Sequence, residues 1–136
     1  MGEARINLIA VAVAAIVYWL LGAGWFTVLK QPWLAGVGKT EEQLRQSSSA
    51  GMAYVVALVC NLLMAYVIAW VVISTGPQTA MRGMMIAALL WVGLAGAAIA
   101  TEHAFEARSL QFFFISAGYP LVGGLIMGAI VGAWKK

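Results

Sequence analysis

The side chains with the clearest chemical capacity lie together in a short polar run at residues 101–108. If a helix continues through this run, Glu102 and Glu106 share a face at i,i+4 spacing, and His103 lies beside Glu106 at i,i+3. A carboxylate–histidine pair can relay protons, because histidine titrates near neutral pH. The alternative is an interfacial segment whose acids form ion pairs with basic residues. These basic residues are Arg108 and, in the first loop, Lys39 and Arg45.

Other chemical arrangements are missing from the sequence. His103 is the sole histidine, so a site with several histidine ligands within one chain is excluded. Cys60 is the sole cysteine, lies in an apolar stretch and reads as an inert small hydrophobe. No nucleophile elbow, P-loop, HExxH or CxxC pattern occurs. We therefore expect a non-enzyme without catalytic, metal-binding or cofactor-binding residues; the alternative is an enzyme that applies the 102–106 cluster to a lipid-like substrate.

Asn61 is the other polar candidate, because it lies near the middle of a long apolar stretch. An unpaired amide in hydrocarbon is expensive, so Asn61 should face protein rather than lipid. It would then join helices by hydrogen bonding, or it would belong to a substrate or ion site.

The elements that position these residues are four apolar stretches. Of the 136 residues, 63% are hydrophobic and only 10% are charged, against about 25% charged in a typical soluble domain. This composition excludes a soluble enzyme, a disordered tail and a nucleic-acid-binding module. A helical span needs roughly 20 apolar residues, and its backbone must hydrogen-bond to itself in lipid. The sequence predicts one all-α domain, a compact bundle of four membrane helices at about 6–29, 52–73, 81–100 and 112–134.

The first loop, residues 30–51, contains a second kind of signal. Thr40 followed by Gln43 is a capping-box pattern, which predicts a short amphipathic helix at about 40–47. The Lys30–Gln31–Pro32 run predicts a turn before it. The loop would be a polar connector, or alternatively a docking surface.

Small residues recur at four-residue spacing and predict how the helices pack. Within a bilayer, helices associate through close backbone approach and polar contacts, since lipid is as apolar as leucine. The fourth span has the doubled GxxxG of Gly124, Gly128 and Gly132, and the second has the stripe Ala57, Asn61, Ala65. These stripes serve packing within one bundle, or the fourth helix associates with a second copy. We expect a homo-oligomer or a larger membrane complex.

The membrane orientation is almost undetermined, because four basic residues fall on each side of four spans. We expect a multi-pass protein of the bacterial inner membrane with both termini in the cytoplasm.

Several runs together carry a resemblance that covers about residues 6–134. They are Asn7–Val11, Gly22–Phe26, Pro32–Trp33, Gly38–Glu42, Phe105–Leu110, Ile115–Tyr119 and Gly128–Trp134. The chain resembles the bacterial membrane family called domain of unknown function 1761. Two positions depart from the family pattern, which usually has Gly where Ala107 stands and His where Pro120 stands. The resemblance implies a small four-span protein and no mechanism; an activity that needs that His would be missing here.

Two functional hypotheses follow for a chain with these features. The first is a structural or accessory membrane subunit, favoured because no charge lies in mid-membrane, where translocation paths usually have one. The second is a small oligomeric transporter or channel for a cation or small solute, in which Asn61 would line the path.

Overall fold

The computed structural model describes residues 6–40, 42–43 and 50–135. Its helices are α1 (Leu8–Val28), α2 (Lys30–Val37), α3 (Ala50–Thr75), α4 (Ala80–Leu90), α5 (Gly96–Phe105) and α6 (Leu110–Ala133), with a π-helical segment at Trp91–Ala95 between α4 and α5. Four helices are long and apolar enough to cross a membrane, the third being the continuous run Ala80–Phe105. The predicted all-α fold of four packed membrane helices is confirmed.

Three of the membrane helices begin at side chains that cap them. Asn7 Oδ1 accepts hydrogen bonds from the backbone N–H groups of Ile9 and Ala10 at 3.0 and 3.2 Å. Thr79 caps α4 and Ser109 caps α6 in the same manner. The first N–H groups of a helix have no partner within it, so these short polar side chains mark where each helix starts.

The first loop differs from the predicted turn, because residues 30–37 form α2. Pro32 lies in the first turn of α2, where its missing N–H is not needed. Gly38 ends the helix in the left-handed region, at φ 81°. The capping box is present: Thr40 N donates to Gln43 Oε1 and Gln43 N donates to Thr40 Oγ1. Glu41 and residues 44–47 of the helix predicted at 40–47 lie outside the described residues.

Helix α6 is the centre of the bundle and packs against α1, α3 and α4. A Cβ at Gly83 of α4 would overlap the backbone carbonyl of Gly128 in α6, and a Cβ at Gly128 would overlap that of Gly83. A Cβ at Gly132 would likewise overlap the carbonyl of Thr79. The two backbones are therefore in direct contact, which only glycine permits. This contact places the GxxxG face of α6 against α4 of the same chain.

The α3–α4 turn is held by Arg82, near the membrane boundary. Its Nη1 donates to the carbonyl of Val72 at 3.0 Å, and its Nη2 donates to Thr75 Oγ1 at 2.6 Å. A cation near the last carbonyls of a helix interacts favourably with the helix dipole. Arg82 thus joins the end of α3 to the start of α4 and keeps these two helices adjacent.

Candidate functional site

The side chains of Glu102, His103 and Glu106 in the polar run at 101–108 have separate surroundings. Helix α5 continues to Phe105, beyond the predicted span end at about 100, so Glu102 and His103 are helical. The Glu102 side chain is exposed. Glu106 instead accepts a hydrogen bond from Arg108 Nε at 3.0 Å. No hydrogen bond or ion pair among the described residues joins the three side chains to one another.

His103 faces away from the two acids and packs on aromatic rings of α6. Its ring stacks on Phe112, with centroids 5.1 Å apart and planes inclined by 21°, and meets Phe113 edge-on. Its Nδ1 is buried and has no hydrogen-bond partner among the described residues. The imidazole is therefore part of the α5–α6 packing rather than the partner of a carboxylate.

Arg108 connects this corner to the first loop. Its Nη1 donates to the carbonyl of Gly36 at 2.8 Å, and its guanidinium lies 5.0 Å from the ring centroid of Phe112. A Cβ at Gly36 would overlap that same ring. Arg108 and Gly36 thus attach α2 to the start of α6, which is a structural arrangement. Of the other two predicted partners of the acids, Lys39 forms no ion pair with Glu102 or Glu106, and Arg45 lies outside the described residues.

Ala107, one of the two departures from the family pattern, has an unusual backbone conformation. Its φ is 55°, the left-handed region that glycine adopts without strain. The turn is closed by hydrogen bonds from Ala107 N to Ala104 O and from Arg108 N to His103 O. This is the usual way in which a left-handed residue ends a helix, and it gives a physical reason for a glycine at this position.

A second group of polar side chains lies inside the bundle, at Tyr18, Asn61 and Tyr119. The Tyr119 hydroxyl donates to the backbone carbonyl of Tyr18 at 2.8 Å, and the two rings lie 4.4 Å apart. Gly22 leaves room for Tyr119, and Gly123 leaves room for Tyr18. From the sequence, Tyr119 is identified only as the end of a family motif, and Tyr18 is not identified as a candidate. The signal available was Tyr18 flanked by small residues at four-residue spacing.

Asn61 lies beside the Tyr119 hydroxyl and is only 4% exposed. Its Nδ2 donates no hydrogen bond to any described residue. Of its stripe, Ala65 is buried in the core and Ala57 is half-buried. The structure therefore places Asn61 against protein, next to a polar hydroxyl, and leaves its amide nitrogen without a hydrogen-bond partner among the described residues.

A cleft of about 500 Å³ opens between α1, α2 and α3, with Tyr119 of α6 at its base. Five aromatic side chains line it: Trp19, Phe26, Trp33, Tyr54 and Tyr119. Trp19 meets Tyr54 edge to face, and Phe26 contacts both Trp33 and Tyr119 at centroid distances near 5.5 Å. Of the residues that the structure describes, Lys30 is the only charged one in the lining.

Two indole groups bind the backbone of α6 just before Pro120. Trp25 Nε1 donates to the carbonyl of Ile115, and Trp91 Nε1 donates to the carbonyl of Ala117, each at 3.0 Å. Pro120 has no N–H, so the helical ladder of α6 is interrupted at this level. The indoles therefore support the helix from α1 and from the π-helical segment. An apolar pocket of about 290 Å³ lies between this region and α3.

Within the described residues, no three His, Cys, Asp or Glu side chains lie close enough to hold a metal ion.

Comparison with known proteins shows the family of the chain. Neither a curated protein nor a solved structure matches the chain. The model of the family described as "Protein of unknown function (DUF1761)" matches residues 9–132. With nearly the whole four-helix bundle covered by that match, the chain belongs to the DUF1761 family, as its sequence motifs predicted.

Proposed function

We propose that this protein is a non-catalytic membrane subunit that associates with a second copy of itself through the third membrane helix. The observation that carries the proposal is the exposure of that helix. Only 17% of its most apolar 18-residue stretch is buried in the bundle, against 39% of the corresponding stretch of the fourth helix. Within α5, Gly96 is the one buried residue.

The exposed surface of the third helix is rich in small residues. Gly93, Ala97, Ala100 and Ala104 are all exposed and follow one another at three- or four-residue spacing. A Cβ at Gly93 would meet nothing within 4 Å. A face of this kind lets a second helix approach closely in lipid, where packing and polar contacts drive association. We refer to these four residues as the small-residue face.

The π-helical segment explains why this face is not used within the bundle. Trp91 turns inward to donate to Ala117, and Gly96 makes room for its indole, with the nearest ring atom 2.9 Å from a Cβ position. The indole fills the space between the third helix and α6. The opposite side of the helix therefore faces outward, towards lipid or another protein.

The glycine face of α6 is a weaker candidate for association, because Gly83 and Thr79 of the same chain already cover it. A variant such as Gly128→Ile would break the bundle before it reported on an oligomer. The small-residue face offers substitutions that meet no neighbour within the chain.

The test is energy transfer between copies with fluorescent proteins fused to the C-terminus, in liposomes at several protein-to-lipid ratios. Replacing Gly93 and Ala97 by Leu should weaken association at least 10-fold, or about 1.4 kcal/mol. Gly24→Leu is the matched control, because Gly24 is also exposed and has no neighbour within 4 Å. Equal transfer in the double variant and the wild type would refute the proposal, as would wild-type transfer no greater than that of a non-associating membrane protein.

A second candidate, a small transporter, rests on the unmatched amide of Asn61 beside Tyr119. It predicts that protein in liposomes moves a cation or small solute, and that Asn61→Leu stops the movement while the bundle stays folded. Against it, the charged residues of the four spans lie near helix ends, as Arg82 and Glu102 do. The accessory role is therefore preferred.

For location we propose the bacterial inner membrane, with both termini in the cytoplasm. The support is the family resemblance and the distribution of the five glutamates. Glu3 lies on the side of the termini, and the other four lie on the opposite side: Glu41, Glu42, Glu102 and Glu106. Reporter fusions at the C-terminus and in the first loop test it, and a periplasmic C-terminus would refute it.

A further inference from the structure

We propose that the aromatic cleft between α1, α2 and α3 binds the headgroup of a zwitterionic phospholipid, with its ammonium against the aromatic rings and its phosphate near Lys30. The proposal is independent of the self-association proposed above.

The position of the cleft is that of a lipid headgroup. Its lining begins at Trp19 and continues along α1 to Lys30, the first residue of α2. On α3 it includes Tyr54, within the first turns of a helix that begins at Ala50. At 1.5 Å per residue, the α3 side of the cleft, which starts at Ala53, begins about 4–5 Å below the helix end. The cleft therefore lies at the loop end of the bundle, within reach of the interface.

The lining recognises positive charge through its rings. A ligand cation within about 6 Å of an aromatic ring centroid is attracted by the ring quadrupole, and several rings together bind alkylammonium groups. The Trp19–Tyr54 and Phe26–Trp33 pairs are inclined at 83° and 67°. In each pair the two ring planes are steeply inclined, so the faces of the lining rings point in more than one direction.

The polar atoms of the cleft act mainly as acceptors. The hydroxyl proton of Tyr119 is committed to the Tyr18 carbonyl, and the Trp19 indole N–H donates to the carbonyl of Tyr54. The Thr27 hydroxyl donates to the carbonyl of Ala23. The hydroxyl oxygens of Tyr119 and Thr27 therefore contribute partial negative charge to the cleft, which attracts an ammonium group even when, as in choline, it has no N–H to donate.

Lys30 supplies the second half of the recognition. Among the described residues it is the one charged side chain of the lining, and it stands at the loop end of the cleft. A zwitterionic headgroup has an ammonium and a phosphate separated by a short linker. The ammonium matches the ring cluster, and the phosphate matches the adjacent lysine, since Lys binds phosphate as a point charge. Neither a purely anionic lipid nor a simple cation uses both parts of the cleft.

The experiment titrates lipid-free protein in detergent with diheptanoyl phosphatidylcholine, diheptanoyl phosphatidylglycerol and choline chloride, followed by tryptophan fluorescence and native mass spectrometry. Tyr54→Leu removes one ring that is 63% exposed and so leaves the core intact. It should weaken phosphatidylcholine binding about 3- to 10-fold and leave phosphatidylglycerol binding unchanged. Tyr66→Leu is the matched control, a second exposed tyrosine of α3 outside the cleft, and should change neither.

Lys30→Met should weaken the binding of both phospholipids, because both have a phosphate. If Tyr54→Leu does not fold, Trp33→Leu takes its place with the same expected result. Equal loss for the two phospholipids in the ring variant, or no loss at all, overturns the proposal. Choline chloride that saturates the cleft as tightly as phosphatidylcholine does also overturns it, since the ligand would then be a soluble cation.

Discussion

Replacing Ala107 by glycine should stabilise the protein, although the change removes a side-chain atom. Ala107 is exposed and has a φ of 55° in the turn after α5. An L-residue in the left-handed region is strained by about 1–2 kcal/mol, and glycine is not. Glycine loses more conformational entropy on folding, by roughly 0.5–1 kcal/mol relative to alanine. The difference predicts a gain of about 0.5–1 kcal/mol in the free energy of unfolding.

The matched control for this prediction is Ala98→Gly. Ala98 is also exposed, but it lies inside α5 with ordinary helical geometry. There glycine carries only its entropic cost, so the variant should lose about 0.5–1 kcal/mol. The two alanine-to-glycine changes in neighbouring segments should therefore have opposite signs.

The assay is unfolding of purified protein in mixed micelles by increasing dodecyl sulfate, followed by circular dichroism and extrapolated to zero dodecyl sulfate. Energy differences of this size are resolved when the variants are compared in one micelle composition. A loss of stability in Ala107→Gly, or equal effects of the two substitutions, would refute the argument from backbone conformation. The turn at residues 106–108 would then not hold the left-handed geometry in the folded protein.

Three further predictions use the same unfolding assay. Gly128→Ile should lower the free energy of unfolding by about 1–3 kcal/mol or more, because any Cβ there overlaps the backbone of α4. Its control, Gly24→Ile, is at an exposed position with free space and should cost no more than about 1 kcal/mol. Similar values for the two variants would contradict the backbone contact. Asn61→Leu should leave stability unchanged or raise it, since an unmatched buried donor is removed; a loss above about 1.5 kcal/mol would show that the amide holds helices together. Trp91→Phe removes the hydrogen bond to α6 and should lower the free energy of unfolding by about 0.5–1.5 kcal/mol. Trp70→Phe, at an exposed position, should change it by almost nothing. Equal losses would argue against the indole as a support for α6.

The predictions that the structure confirms depend on local sequence. Membrane helices are marked by continuous apolar stretches and by caps, so the four spans were found with ends close to those observed. The third span continues to Phe105 rather than about 100, because the helix passes through Glu102 and His103 before the turn at Ala107. Helix α2 was missed, since Pro32 reads as a turn although a first helical turn tolerates it.

The arrangement of the polar groups could not be derived from spacing along the chain. Glu102, His103 and Glu106 stand at helical spacing, yet Glu106 pairs with Arg108 and His103 stacks on Phe112 of another helix. Which partner a side chain meets depends on the rotation of each helix and on its neighbours.

The sequence by itself determined that this protein lies in a lipid bilayer and which of its segments are helical, because hydropathy and backbone hydrogen bonding act within a single segment. It also determined the family, whose motifs lie at fixed positions. Only the tertiary structure decided that α6 is central, that Gly83 and Gly128 touch, and that Tyr18, Asn61 and Tyr119 meet. Those contacts join residues far apart in the chain, and they follow from shape complementarity between helices, which no single segment encodes.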